Sequence, residues 1–293
     1  MSRVAVSLTD PDFVRKLESL HLLARKVLGG TLHADRKSTK KGTGVTFADY
    51  AEYTYGADYR AIDWRVFARF ESLVIKLFEL EEDATIYVLV DLSRSMEAKS
   101  DYARQLAAAL GYIALSSLDR LAVYGLGDTL VPLLETCRGK ANVFPLLRAL
   151  EGAETIAGDT RFNACSRVFQ ARHSRRGLIV VVSDFLFPEG FEEGLKFLGF
   201  HGHDVYALQV QDEADRSCDW KGDADLLCVE TAARRRITVT DREARRYEQA
   251  VADWNESLKR CCARLAIGLA STDTDVAFDR VVRDILCRGG LVA

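Results

Sequence analysis

Residues 88–96 read VLVDLSRSM: an apolar run halts at Asp91, and Ser93 and Ser95 follow at every second position. Two chemistries use that pattern. Asp and Ser favour turns and helix N-caps, because their short side chains hydrogen-bond nearby backbone amides. The same oxygens at the end of a strand also suit a hard divalent cation, which takes carboxylate, hydroxyl and water ligands. Two further pieces bear on the choice: GLIVVVSDF (177–185) ends in Ser183 and Asp184, and GDTRFN (158–163) offers Thr160 ahead of a helical stretch. If Ser93, Ser95 and Thr160 bind directly while Asp91 and Asp184 act mainly through water, the ion has few charged ligands and stays electrophilic. An Asp or Glu of a partner protein can then complete its shell, which makes the site a recognition device rather than a catalytic one.

The elements that must position these residues are legible from periodicity. Beyond residue 84, short β-branched runs alternate with helical stretches, the sequence form of βαβ units around a parallel sheet. Strands are expected at 84–91, 120–127, 177–185, 203–210 and 265–271, with an edge hairpin strand at 129–135. Helices are expected at about 100–118, 141–151, 161–172, 189–199, 241–264 and 275–287, and a separate hairpin at 225–240. In an open sheet of this type ligands collect at the carboxyl ends of the strands, where strand order reverses, and Asp91 and Asp184 both end strands. The fold class expected is therefore α/β, a doubly wound, mostly parallel sheet over 84–293, preceded by an N-terminal extension over 1–83. That extension opens with an amphipathic helix running from Asp10-Pro11 to Gly29-Gly30. A basic, polar loop (33–44) follows, and then an aromatic-rich segment whose LVIKLFELE (73–81) reads as a strand leading towards the central sheet.

Composition sets the outer limits. The 293 residues are 48% hydrophobic and 28% charged with a net charge of −3, the balance of a globular protein with no global field for nucleic acid or an anionic membrane. No run approaches the roughly 18 apolar residues of a membrane span, and the N-terminus lacks the apolar block of a signal peptide, so a cytoplasmic location is expected. The seven cysteines are odd in number, contain no C-x-x-C pair and read as reduced thiols. There is no G-x-x-x-x-G-K-[ST], no G-x-G-x-x-G after a strand and no G-x-S-x-G. A Mg²⁺-dependent phosphohydrolase using Asp91 as nucleophile is the enzyme alternative. Its general acid would stand two residues on, where Ser93 cannot transfer the proton. A metal-independent interaction scaffold is the third reading; no enzymatic activity is the one expected.

Asp91-Leu92-Ser93-Arg94-Ser95, Gly158-Asp159-Thr160 and Ser183-Asp184 together resemble the metal-ion-dependent adhesion site of von Willebrand factor A domains. That resemblance implies a divalent ion, Mg²⁺ or else Mn²⁺ or Ca²⁺, held directly or through water by Asp91, Ser93, Ser95, Thr160 and Asp184. YTYGADYRAIDWRVFAR (53–69), followed by DLSRSM and later by VET (229–231) and Tyr247, is similar to the family known as domain of unknown function fifty-eight. Membership would imply a von Willebrand A protein working with a MoxR-type AAA+ ATPase as adaptor or co-chaperone, with client proteins engaged through an acidic residue. Ala51, Ala57 and Asp159 depart from the family pattern. Within the upstream motif, Asp58, Arg60, Asp63, Trp64 and Arg69 form either a partner surface or a buried ion-pair network, and the proximity of two acids and two arginines favours the structural role.

Overall fold

The computed structural model describes residues 7–35, 41–42, 46–54, 59–79, 85–156, 160–218, 221–228 and 233–287. Ala57, Asp58, Gly158, Asp159, the Val229-Glu230-Thr231 motif and much of the basic stretch 33–44 lie outside them. The chain forms two compact units, one of residues 26–83 and the other of 1–25 with 84–293. In chain order the elements up to residue 79 are α1 (Pro11–Asp35), β1 (Lys41–Gly42), β2 (Thr46–Glu52), α2 (Trp64–Phe70) and β3 (Val74–Glu79). Then follow β4 (Thr85–Asp91), α3 (Ser100–Ser116), β5 (Arg120–Leu126), β6 (Leu130–Arg138), α4 (Val143–Glu151), α5 (Phe162–Arg172) and β7 (Leu178–Ser183). The chain closes with α6 (Glu192–Phe200), β8 (Asp204–Gln211), α7 (Glu213–Arg216), β9 (Gly222–Leu227), β10 (Arg234–Val239), α8 (Asp241–Arg264), β11 (Gly268–Asp273) and α9 (Phe278–Cys287).

The larger unit is mixed α/β. Its six-stranded sheet has the order β11-β8-β7-β4-β5-β6, parallel throughout except for β6, which runs antiparallel to β5 as the hairpin pattern predicts. Strand order reverses at β4, whose neighbours are β5 on one side and β7 on the other. Alternate residues of these strands serve opposite faces. Tyr87, Leu89, Tyr124, Ile179, Val181 and Ala207 share one core with side chains of α5, α6 and α8. The intervening Val88, Val90, Val123, Val180, Val182 and Leu208 are buried as well, on the face where α3 lies along β4, β5 and β7. Burial on both sides is why these strands read as continuous apolar runs rather than alternating ones.

The first half of α1 belongs to this unit. Asp10 accepts from the Asp12 amide at 2.8 Å, and Phe13, Leu17, Leu20 and Ala24 form one buried stripe, with the Phe13 ring 5.0 Å from that of Phe278 in α9. The helix continues through Gly29-Gly30, the expected stop. A glycine inside a helix costs only about 1 kcal/mol; it ends the helix when it takes up the left-handed cap conformation, and here the backbone stays helical.

The unit of residues 26–83 corrects a second expectation. β3 does not lead into the central sheet; it is the middle strand of a three-stranded antiparallel sheet, β1-β3-β2. It pairs antiparallel with β2 from Thr46 opposite Glu79 to Glu52 opposite Val74 and with β1 at Lys41 and Gly42, so both of its edges are hydrogen-bonded within this unit. Asp63 caps α2: its carboxylate accepts from the Arg65 amide (2.9 Å) and the Tyr50 hydroxyl (3.0 Å), and the residue is buried. Asp63→Ala should therefore destabilise this unit by about 1–2 kcal/mol through loss of the cap. Hydrogen exchange of the α2 amides reports it; unchanged protection would contradict the capping role.

Candidate metal centre

Asp91 is the last residue of β4 and is 1% exposed. Its Oδ1 accepts from the Ser93 amide (3.0 Å) and its Oδ2 from the Ser183 hydroxyl (2.6 Å). The backbone then turns into a short 3-10 segment, Arg94–Lys99, in which Ser93 stands at the N-cap position without making a side-chain cap bond. Its hydroxyl instead lies 2.9 Å from that of Ser95. The two serine hydroxyls thus face each other, and the turn chemistry is supplied by the bond from the Ser93 amide to Asp91.

Thr160 arrives from a different part of the chain and is pinned on both sides. The Ile156 amide donates to the Leu92 carbonyl (2.8 Å) and the Arg161 amide to the Gly127 carbonyl (2.9 Å), which ties these two residues to the carboxyl ends of β4 and β5. The Thr160 residue is 3% exposed, and its Oγ1 has no hydrogen-bond partner among the described residues. A buried hydroxyl left unpaired costs about 1–3 kcal/mol. Thr160→Val should accordingly leave metal-free stability unchanged or raise it by about 1 kcal/mol, while weakening Mg²⁺ binding. Calorimetry paired with a denaturation curve separates the two effects, and a clear loss of stability would show that the hydroxyl is already satisfied.

Asp184 follows β7 and sits in a distorted turn. Phe185 adopts a left-handed φ of 60°, sparsely populated by a bulky residue, and is held there by bonds from its amide to Ser183 Oγ (2.9 Å) and from Trp254 Nε1 to its carbonyl (3.1 Å). The Asp184 Oδ1 accepts from the Leu186 amide at 3.0 Å. Its Oδ2 receives the ammonium of Lys99 at 2.7 Å, and the same ammonium reaches Asp215 Oδ2 in α7 at 2.6 Å. Lys99 is 1% exposed. Burial alone would lower its pKa, but the two carboxylates raise it, so it stays charged.

The electrostatics of the two aspartates differ. Among the described residues no basic side chain pairs with Asp91; burial, and then the neighbouring Asp184 carboxylate, push its pKa up to about 6. Two carboxylates at one edge, one of them without a counter-charge among the described residues, and three hydroxyls at that same edge form a donor set of hard oxygens. No cluster of three or more His, Cys, Asp or Glu side chains able to hold a metal exists among the described residues, so only a site completed by hydroxyls and water fits. The Thr160 hydroxyl without a partner and the Asp91 carboxylate without a counter-charge, both among the described residues, agree with such a site.

The structure brings Asp91, Ser93, Ser95, Thr160 and Asp184 to the carboxyl edge of one sheet. The upstream motif belongs to the unit of residues 26–83. Arg60 lies over the Tyr59 ring (5.9 Å), Trp64 is 60% exposed and edge-on to Phe67, and Arg69 occupies the last turn of α2. His201 and His203 do not form a metal pair: the first contacts the Phe197 carbonyl and the second the Gln170 side chain. Sequence reasoning missed Lys99 and Asp215, and it named Ser183 only as part of the Ser183-Asp184 motif and not as the partner of Asp91. Ser183 had a signal, since it precedes Asp184 at the end of an apolar run. Lys99 had none, because a lone lysine ahead of a helix is ordinarily solvated.

Uncharacterized proteins of Mycobacterium tuberculosis and Mycobacterium bovis are 24% identical to the chain over 274 residues, which is 91% of this chain and 86% of theirs. Among solved structures, the conserved hypothetical protein BatB from Bacteroides thetaiotaomicron is 13% identical and aligns with a TM-score of 0.38 over 62% of this chain and 98% of its own. An aerotolerance-related membrane protein from Bacteroides fragilis is 16% identical, at the same TM-score and coverage. The model of the family described as "Protein of unknown function DUF58" matches residues 49–257, more than two thirds of the chain, and the protein belongs to that family.

Proposed function

We propose that this protein is a divalent-metal-dependent protein-binding module and not an enzyme, with its binding site at the carboxyl edge of β4 and β7. The observation that carries the reading is the Asp91 carboxylate, buried beside Asp184 with no basic partner among the described residues and followed by the facing hydroxyls of Ser93 and Ser95, with the buried Thr160 hydroxyl at the same sheet edge. The reversal of strand order at β4 supports a doubly wound fold of the von Willebrand factor A type, and Asp91 and Asp184 stand at the strand ends where such a fold binds its ligands.

In this reading Ser93, Ser95 and Thr160 hold Mg²⁺, or Mn²⁺ or Ca²⁺, with Asp91 and Asp184 contributing directly or through water. The ion supplies a Lewis-acidic coordination position that a carboxylate of another protein fills. By family resemblance that protein is a MoxR-type AAA+ ATPase or its client, and the chain acts as adaptor in the assembly or maturation of complexes. No helix among the described residues is long and apolar enough to cross a membrane, and the proposed location is cytoplasmic. Calorimetry with Mg²⁺, followed by capture of the ATPase with and without chelator, tests the whole reading. Saturable Mg²⁺ binding and chelator-sensitive capture are expected; capture indifferent both to chelator and to Asp91→Ala would remove the metal from the function.

A further inference from the structure

Asp184 is already neutralised by a cation of the chain itself. The Lys99 ammonium is buried, 2.7 Å from Asp184 and 2.6 Å from Asp215, and its stem enters from the 3-10 segment that also carries Ser95. Asp215 is held in turn: a capping box with Asp212 fixes the start of α7, and the Tyr247 hydroxyl of α8 donates to the Asp215 carbonyl at 2.9 Å. This bridge is built, not incidental. A lysine loses about 2 kcal/mol of side-chain freedom when fixed and pays heavily for desolvation, so full burial persists only where two acids receive it.

We propose that Lys99 is the residue that sets the divalent-ion affinity of this site, holding binding by the chain alone weak but measurable, so that the carboxylate of an acidic partner strengthens it. The inference rests on the metal-dependent reading above and deepens it. With Lys99 in place, the edge formed by Asp91 and Asp184 has two carboxylates against one ammonium, and an incoming dication meets one uncompensated charge instead of two. Buried charges interact through a low effective dielectric, so a single ammonium next to a ligating carboxylate alters ion affinity by orders of magnitude. The partner's Asp or Glu restores the missing negative charge, and the ion and the partner therefore bind cooperatively. Asp215 moderates the effect by sharing the ammonium: the less charge it draws, the more Lys99 opposes the ion.

The test uses the full chain, Mg²⁺ alone and isothermal calorimetry, with circular dichroism confirming the fold of each variant. Lys99→Met combined with Asp215→Asn should bind Mg²⁺ at least about tenfold more tightly than the parent, and its melting temperature should rise with Mg²⁺ more steeply than the parent's. Asp215→Asn alone should act in the opposite direction, weakening Mg²⁺ binding by about threefold or more, because Lys99 then bears wholly on Asp184. Damage to the site weakens both variants, so tightening in the first arm cannot come from damage. If the double variant does not fold, the second arm decides. Equal Mg²⁺ affinity of Asp215→Asn and parent, or a double variant that folds and binds no more tightly, overturns the role of Lys99 while leaving the metal site standing. A parent chain that takes up no Mg²⁺ overturns the metal-dependent reading itself, and this inference with it.

Discussion

Asp91→Asn should be more stable than the parent protein at pH 7 in the absence of divalent metal, and should bind no Mg²⁺. The folded state holds Asp91 with a pKa of about 6, against an ordinary carboxylate value when unfolded, because burial and Asp184 both disfavour its charge. A carboxyl group whose pKa is raised on folding contributes stability at low pH and loses it as pH climbs through the folded pKa. Below about pH 4 Asp91 is protonated in both states and costs nothing; between about pH 4 and 6 stability falls, and above that the penalty is constant at about 1–3 kcal/mol. The amide has no charge to bury, and its oxygen can still accept from the Ser93 amide, so the variant escapes the penalty. Urea denaturation at pH 4 and pH 7, with chelator, checks the sign: the variant's advantage should be present at the higher pH and vanish at the lower. An Asp91→Asn protein less stable than its parent at pH 7 would mean that the carboxylate already has a counter-charge. Removing Mg²⁺ should lower the parent's stability and leave the variant's unchanged, since a ligand stabilises only the state that binds it.

Lys99→Met should be the most destabilising single change at the site, by about 3–5 kcal/mol, because it deletes the cation from a buried bridge and leaves Asp184 charged and unpaired beside Asp91. The methionine stem fills most of the lysine's volume, so the loss is electrostatic and not a cavity effect. A melting curve in chelator measures it; stability within about 0.5 kcal/mol of the parent would show that the bridge contributes nothing net. Added Mg²⁺ should restore part of the loss, for the ion then supplies the positive charge that Lys99 no longer provides.

The sequence by itself determined the alternation of strands and helices that makes the larger unit α/β. Apolar runs at β4, β5 and β7 are buried on both faces, and a long charged amphipathic stretch marks α8 at 241–264. It also determined which oxygens stand at strand ends, since Asp91 and Asp184 each close an apolar run and a strand end is a backbone position, readable from local pattern. That these ends lie at one edge follows from parallel pairing of β4 with β7.

Tertiary structure alone decided the rest. β3 has a strand's pattern, but nothing local says which sheet it joins, because backbone hydrogen-bonding groups are identical in every strand and the partner is selected by what covers each face. Thr160 is an ordinary residue ahead of a helix until Ile156 and Arg161 bond Leu92 and Gly127, and only then is its hydroxyl buried, with no partner among the described residues. Lys99 was invisible for the same reason. Its partners lie 85 and 116 residues further along the chain, and whether a lysine is solvated or buried depends on charges brought to it through space, which no local spacing encodes.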